Sequence, residues 1–371
     1  MMSRTERKIA FVAAATLLLS TLEYLIPKPL PFLRLGLANL PILLVLEIFT
    51  FKSFFILLLL KSIGQGFVTG TLFSYLFFIS LAGTVSSGLV MKGTKSLFKS
   101  RVSLVGCSII GALASNISQL GVASLLIYGK TIWIAAPLML GLGLVSSIVL
   151  GFLAERYKTK GTMIALLAED KLELELPLIT EREHNTKVAL AALLAIVAIL
   201  IVDRLAYLAL ITALMYLLQR ISRRRIMVVP PLMLLFSMLL LSLFEPYGKV
   251  LLSFGSVAFT QGSVEIALIK ALRLISLLAA SQCISASNPR LRTKNLAYIP
   301  LTLGYFTLFS TSFKGSTGSL VQRVDQALLK TASGGVGPNP TSDNKAKRIP
   351  TTLFIGVVAV VIVVAIISKL I

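Results

Sequence analysis

Long apolar segments separated by short basic stretches make up most of the first half of the chain. A helix needs about 20 apolar residues to cross a bilayer. None of the segments alternates apolar and polar residues with period two, as the strands of a membrane barrel do. Since only helices and closed barrels satisfy every backbone polar group in lipid, the pattern predicts an all-α, polytopic helical membrane protein. Its six-helix N-terminal bundle would have spans near residues 8–26, 35–51, 53–69, 71–91, 102–128 and 132–154.

The apolar pattern is less regular in the second half. Residues 188–218 are apolar except for Asp203–Arg204, which predicts a helical hairpin with its charged turn at the membrane surface. The alternative is one long tilted helix with a buried ion pair, at a higher energetic cost. Residues 296–313 are broken by Pro300 and Gly304 and precede a basic stretch, so we expect them to lie at the interface or to re-enter. The pattern predicts a C-terminal membrane bundle of about four to five segments, the others near 230–245, 264–286 and 351–367.

Two polar stretches predict the domain boundaries. Mixed charge and a proline are typical of a cytoplasmic linker, and the GGVGPNPTSDN run is typical of a flexible one. The predicted divisions are a first membrane domain at 1–160, a linker at 161–186, a second membrane domain at 187–330, a flexible linker at 331–349 and a C-terminal transmembrane helix at 350–371.

The composition fits a protein surrounded by lipid, and this affects how its net positive charge is interpreted. Only 14% of the residues are charged and 56% are hydrophobic, whereas about a quarter are charged in soluble proteins. The net charge of +21 would suggest nucleic acid in a soluble protein, but Lys and Arg lie between the apolar segments, where they mark the cytoplasmic side. Their recurrence after four and six crossings places the N-terminus and residues 155–186 in the cytoplasm of a multi-pass cell (inner) membrane protein. No basic stretch is interleaved with stacking aromatic residues, so we expect no nucleic-acid partner.

The chain lacks the motifs of common enzymes. It has no Walker A loop, G-x-S-x-G elbow, HExxH or CxxC, and its one histidine, His184, has no partner at metal-ligand spacing. The adjacent acidic residues Glu169–Asp170 lie in the linker, and Glu47 is a candidate ion-pair partner of Lys52. We therefore expect no catalytic residue, no metal and no cofactor, and ATP hydrolysis would need a separate subunit.

Polar side chains inside apolar segments are the candidate binding residues, because an intramembrane amide is unfavourable unless it faces protein or a cavity. Asn39 and Gln65 lie in predicted spans, and Asn116 and Gln119 are three residues apart, on one helical face. Tyr75 suits a pocket wall or an aromatic belt. The alternative is that the amides join helices and the nearby glycines allow close packing.

Four segments carry a family resemblance: RLGLANLPILLVLEIF, GQGFVTGTLFSYLFFISLAGTVSSGLVM, SIIGALASNISQLGVASLLI and LMLGLGLVSSIVLGFLAERY. They resemble the Gx transporter family, also labelled heptaprenyl diphosphate synthase component I, over roughly residues 5–160. That family is similar to the substrate-binding (S) components of energy-coupling factor (ECF) transporters, which are six-helix proteins that capture a vitamin-like nutrient. The family's usual His-Asn pair is Ser115-Asn116 here, so the resemblance adds Ser115 to the candidate binding residues.

The second half is similar to the transmembrane (T) component of the same transporters. FTQGSVEIALIKALRLISLLAASQCISASNP follows that family's pattern of a polar turn, a glycine and an arginine-bearing apolar helix, with Arg273 at the arginine position. T components end in coupling helices with Ala-Arg-Gly-like tips, for which VQRVDQALLK, with Arg323, is the nearest candidate. The resemblance implies a small-molecule substrate, ECF-type ATPase subunits and the lipid bilayer as partners.

Three functions remain open at this point. The first is uptake of a small vitamin- or cofactor-like molecule, driven by separate ATPases. The second is a non-catalytic accessory role in isoprenoid or quinone biosynthesis, since a diphosphate-ionising enzyme holds Mg²⁺ with clustered carboxylates, and most of the 15 acidic residues lie in linkers or at span ends. The third is a structural or assembly protein whose C-terminal span recruits partners.

Overall fold

The computed structural model describes residues 3–24, 36–160, 186–221, 229–244, 246–254, 257–287, 298–318, 320–332 and 351–370. Most of these residues are helical. The α-helices in chain order are α1 (Arg4–Tyr24), α2 (Leu40–Leu44), α3 (Phe51–Thr69), α4 (Tyr75–Phe98), α5 (Leu104–Ala123), α6 (Ala136–Lys160), α7 (Thr186–Ile201), α8 (Leu205–Ile221), α9 (Val229–Ser242), α10 (Gln261–Ser287), α11 (Tyr298–Lys314), α12 (Leu320–Ala332) and α13 (Thr351–Leu370).

Apolar helices of membrane-spanning length confirm the predicted fold class. Four helical stretches in the described part are long and apolar enough to cross a bilayer, and α7, α8 and part of α9 are shorter apolar helices. The polytopic, essentially all-α membrane fold is thereby confirmed. The four stretches are Phe51–Thr69, Tyr75–Arg101, Leu104–Thr159 and Thr351–Leu370.

The predicted linkers at 161–186 and 331–349 lie outside the described residues, apart from Thr186 at the start of α7 and residues 331–332 at the end of α12. His184 and Glu169–Asp170 belong to the same undescribed part. The division into domains therefore stays a prediction.

The second predicted span, residues 35–51, differs from a membrane-crossing helix. From Gly36, whose φ of 86° is left-handed, it forms one 3-10 turn at Leu37–Asn39 and then only the five residues of α2. Beyond α2 the backbone continues only as turns, and there Lys92 on α4 donates its ammonium protons to the carbonyls of Leu46 and Phe49, the latter at 2.6 Å. We call residues 36–50 the broken segment. The six helices of the N-terminal bundle therefore include one that is far too short to cross a bilayer.

The partner of Glu47 was predicted wrongly. Its carboxylate binds the ammonium groups of Lys158 at 2.5 Å and Lys95 at 3.1 Å, on α6 and α4, instead of the neighbouring Lys52. The end of the broken segment is thus tied to the ends of two long helices.

Helix α11 is continuous through the region predicted to be broken. Pro300 falls in its first turn, where a missing N–H removes no helical hydrogen bond. The helix packs on α1, where Phe11 meets the rings of Tyr305 and Phe309 edge-on at centroid distances of 5.5 and 4.9 Å. With 17 residues it is short for a span. Its interfacial or re-entrant placement stays a prediction, while its anchorage to the N-terminal bundle is clear.

The charged turn predicted at Asp203–Arg204 is confirmed. Residues 202–204 separate α7 from α8, and Asp203 forms ion pairs with Arg273 on α10 and Lys369 on α13, each at 2.7 Å. Arg273 also donates to the carbonyl of Val202 at 2.7 Å. One carboxylate therefore connects four helices of the C-terminal half.

A short β-hairpin precedes α10, in a stretch predicted only as a polar loop. Its strands, β1 (Val250–Phe254) and β2 (Val257–Thr260), pair antiparallel. The hairpin is the one sheet in the described part of the chain. On the opposite end of α10, the Ser281 hydroxyl donates to the carbonyl of Leu72 at 2.5 Å, which joins α10 to the α3–α4 turn.

We predict that the Asp203 ion pairs make stability depend on pH. The hydrogen bond from Lys369 and the charge of Arg273 hold the pKa of the Asp203 carboxyl below its ordinary value. Such a group stabilises the fold above its unfolded-state pKa, and this contribution disappears as the pH falls through the lowered folded-state pKa. Because the carboxylate is largely exposed, the effect should be below about 1 kcal/mol. Thermal unfolding of the purified protein should show a larger loss of stability from neutral to acidic pH in the wild type than in Asp203→Asn; parallel pH profiles would contradict the prediction.

Candidate functional site

A polar cavity lies inside the N-terminal bundle, surrounded by helices whose outer faces are apolar. Its free volume is about 40 Å³, which corresponds to about three or four water molecules at roughly 10–15 Å³ each. Amides, hydroxyls and two charged groups line it, with few apolar side chains. The lining residues are Glu23, Gly36, Ala38, Asn39, Lys61, Thr84, Met91, Ser108, Ala112, Ser115, Asn116, Gln119, Gly143, Ser146, Ser147 and Leu150.

Four of the six candidate binding residues meet at this cavity: Asn39, Ser115, Asn116 and Gln119. The other two do not line it. Gln65 is buried in α3, and Tyr75 is partly buried where α4 packs against side chains of the C-terminal half. Their assignment as binding residues stays a prediction without support from the cavity.

The two amides of α5 that line the cavity donate hydrogen bonds to groups on α6 and on α5 itself. Asn116 donates from Nδ2 to the carbonyl of Met139 at 2.9 Å, and Gln119 donates from Nε2 to the Ser115 hydroxyl at 2.8 Å. Gln119 is only 3% exposed, and its Oε1 has no hydrogen-bond partner among the described residues. A buried acceptor without a partner costs about 1–3 kcal/mol, so this oxygen is the atom at which a ligand would gain most by donating a hydrogen bond.

Two glycines make room for these amides. A Cβ on Gly83 of α4 would lie 2.5 Å from Nε2 of Gln119, and a Cβ on Gly143 of α6 would lie 2.1 Å from Nδ2 of Asn116. Both distances are too short for any side chain to be added without moving the amide. Gly83 was predicted to allow close packing, whereas the role of Gly143 was not foreseen.

Two buried charges in the cavity were not among the six candidate binding residues. Lys61 on α3, 2% exposed, donates to Oδ1 of Asn39 at 2.5 Å. The Glu23 carboxylate on α1, 3% exposed, accepts the backbone N–H of Gly36 at 3.2 Å. They bind the two ends of one turn of the broken segment. Their presence inside apolar runs was the available signal, because charges buried in a bundle mark functional sites more often than elsewhere.

The two arginines predicted to act in coupling lie far from this cavity. Arg273 binds the α7–α8 turn described above. Arg323 on α12 lies 4.3 Å from the ring of Phe313 and donates to the Phe313 carbonyl at 3.2 Å. Asp325, on the same helix, accepts a hydrogen bond from the Tyr157 hydroxyl at the end of α6. Helix α12 is therefore held against the N-terminal bundle, and a role in coupling stays untested.

These features define a helical membrane protein with a small, polar, internal cavity. Within it, residues 12–157 match the family model of heptaprenyl diphosphate synthase component I. The match runs from α1 to the end of α6 and includes every residue that lines the cavity. Neither the curated proteins nor the solved structures give a match to the chain.

We predict that Gly143→Ala destabilises the bundle, because the new methyl group must displace the Asn116 amide from the Met139 carbonyl. The loss should be about 1–3 kcal/mol, measured by thermal unfolding in detergent. Gly141→Ala, on the same helix with nothing within 4 Å of the added Cβ, is the matched control and should be neutral or slightly stabilising. Equal effects of the two substitutions would show that the amide contact is unimportant.

Proposed function

We propose that the N-terminal bundle binds a small polar molecule in this cavity and that the chain is the membrane component of an uptake system. The observation that carries the proposal is the unpartnered Gln119 Oε1 in a buried, amide- and hydroxyl-lined cavity. A bundle that only anchored partners would gain stability from an apolar core there, because each buried polar group must be satisfied.

The cavity chemistry defines the kind of molecule. Three carboxamides and several hydroxyls offer both donors and acceptors, while one ammonium and one carboxylate allow a polar or zwitterionic group. The ligand should present an N–H or O–H to Gln119. A long prenyl chain would find few apolar contacts in this cavity.

Binding of a cofactor-sized molecule requires the cavity to enlarge, since about 40 Å³ is available. The broken segment is the part best suited to move. Its turn is bound to α1 and α3 by Glu23 and Lys61, and its far end to α4 by Lys92, so side-chain contacts add to the short runs of backbone hydrogen bonds that hold it. Rearranging those contacts would open the cavity while the long helices stay intact.

The energy for uptake would come from separate ATPase subunits, because the sequence has no Walker A loop. The C-terminal half would then serve as the scaffold that those subunits bind. This part of the proposal rests on the resemblance of the second half to T components.

A second candidate is favoured by the description of the matching family. In it the chain is a non-catalytic membrane partner of a separate prenyl diphosphate synthase. In the described part, no group of three or more His, Cys, Asp or Glu side chains lies close enough to hold a metal ion. Lys61 is the single cation among the cavity-lining residues, where a diphosphate prefers several charged donors.

Native mass spectrometry of the purified full-length chain distinguishes the two candidates. Under the uptake proposal, the wild type carries a polar small molecule. Gln119→Leu should weaken its binding about 5- to 150-fold, which is the loss of one buried hydrogen bond. Gln261→Leu, at the exposed start of α10, is the matched control and should retain it.

Three results would contradict the uptake proposal. One is equal ligand retention by both variants, and another is a prenyl diphosphate as the bound molecule. The third concerns coupling: if cells lacking the ATPase subunits accumulate the molecule as fast as wild-type cells, the role of the ATPases is wrong.

A further inference from the structure

A second cavity lies where the connection between α5 and α6 meets α9, α10 and the loop before the β-hairpin. Its volume is about 430 Å³, about ten times that of the polar cavity, and it shares no lining residue with it. The lining residues are Tyr128, Thr131, Met238, Leu241, Ser242, Pro246, Tyr247, Ser263, Ile266, Ala267 and Lys270.

The walls of this cavity are amphipathic. Met238, Leu241 and Ile266 form apolar surface, while hydroxyl side chains and Lys270 supply the polar part. Among the described residues that line the cavity, Lys270 is the single charged one. A cavity of this composition suits a molecule with an aliphatic chain and an anionic head.

Lys270 has no acidic partner within ion-pair distance among the described residues. The nearest acid along its own helix, Glu265, is exposed and does not line the cavity. One turn further along α10, Arg273 binds Asp203 of the α7–α8 turn. That carboxylate is therefore already paired with Arg273 and Lys369. The positive charge of Lys270 is therefore available to an anion that enters the cavity.

The mouth of the cavity is surrounded by exposed apolar and aromatic side chains. Of the lining residues, Ile266 is 43% exposed and Tyr247 69%. Tyrosines and other aromatic residues of membrane proteins gather at the level of the lipid headgroups. This surface suits acyl chains better than water.

The frame of the cavity is already formed. The backbone N–H of Tyr247 donates to Oγ1 of Thr260 at 2.8 Å, and Gly262 donates to the carbonyl of Tyr247 at 3.1 Å. On the other wall, the hydroxyls of Tyr128 and Ser237 lie 3.2 Å apart. Little conformational entropy remains to be lost when a ligand enters, which favours binding.

We propose that this cavity binds one anionic phospholipid, with its headgroup at Lys270 and an acyl chain along Met238, Leu241 and Ile266. The Lys270 ammonium group can form a charge-assisted hydrogen bond with the phosphate of such a headgroup. The lipid would contact the N-terminal bundle through Tyr128 and Thr131, so it would form part of the interface between the two halves. The proposal is independent of the ligand of the polar cavity.

The test is lipid binding to the full-length chain, measured by native mass spectrometry. Phosphatidylglycerol is titrated against phosphatidylcholine with the same acyl chains, and inorganic phosphate is added as a headgroup-only competitor. The wild type should retain one phosphatidylglycerol in preference to phosphatidylcholine, and phosphate should not displace it. Lys270→Gln should weaken phosphatidylglycerol binding about tenfold or more, as expected for loss of a charge-assisted hydrogen bond. Lys249→Gln, which removes an exposed charge outside the cavity, is the matched control and should bind like the wild type.

A second variant distinguishes a loss of lipid binding from a loss of folding. Ile266→Glu places a carboxylate at the exposed mouth, where it should repel the anionic lipid while thermal stability in neutral detergent stays at the wild-type level. The proposal is overturned if Lys270→Gln and Lys249→Gln bind phosphatidylglycerol alike, or if phosphatidylcholine binds as tightly. Displacement by phosphate alone would assign the site to a free anion and would also overturn it.

Discussion

The backbone polar groups of a lipid-embedded bundle must find their partners within the protein, and this requirement shapes the N-terminal half. Water cannot satisfy a backbone that leaves helical geometry there. In the broken segment, charged side chains bind backbone groups that are left outside helical hydrogen bonding. Lys92 satisfies two of its carbonyls, and Glu23 and Lys61 hold its first turn. Gly36, with its left-handed φ, and Pro41, which is favourable only in the first turn of a helix, also disfavour a continuous helix, and the broken segment supplies one wall of the polar cavity.

The apolar periodicity was sufficient to predict the class of fold and much of the helix order. It also predicted the α7–α8 turn, because a charged pair in the middle of an apolar run is most favourable in a turn at the membrane surface. It failed at residues 35–51, where the contacts of Lys92 come from α4, more than 40 residues away, although Gly36 and Pro41 were local signals of an interrupted helix. The same limit applies to Glu47, whose partners Lys95 and Lys158 are distant in sequence while Lys52 is near.

The candidate site was predictable in part for a similar reason. The three-residue spacing of Asn116 and Gln119 is local, so their common face could be inferred from the sequence alone. Asn39 was found as an amide within a predicted span. The charges of Glu23 and Lys61 inside apolar runs are visible in the sequence, but the groups that they and Gly143 contact depend on how separate helices pack. The family match covers all of these positions but gives only a family description. The chemistry of the cavity therefore follows from the positions of its lining side chains.

The packing of α11 on α1 has a consequence for how the protein is made. Phe11 and its partner Tyr305 are separated by roughly 300 residues, and chain synthesis proceeds at about 5–20 residues per second. Helix α1 is therefore synthesised on the order of 15–60 s before α11, which later packs on it. Lipid can cover the aromatic face of α1 during that interval at little cost, because acyl chains are as apolar as the side chains they replace. The packing of α11 on α1 is thus among the last events in the biosynthesis of the chain, although α1 is translated first.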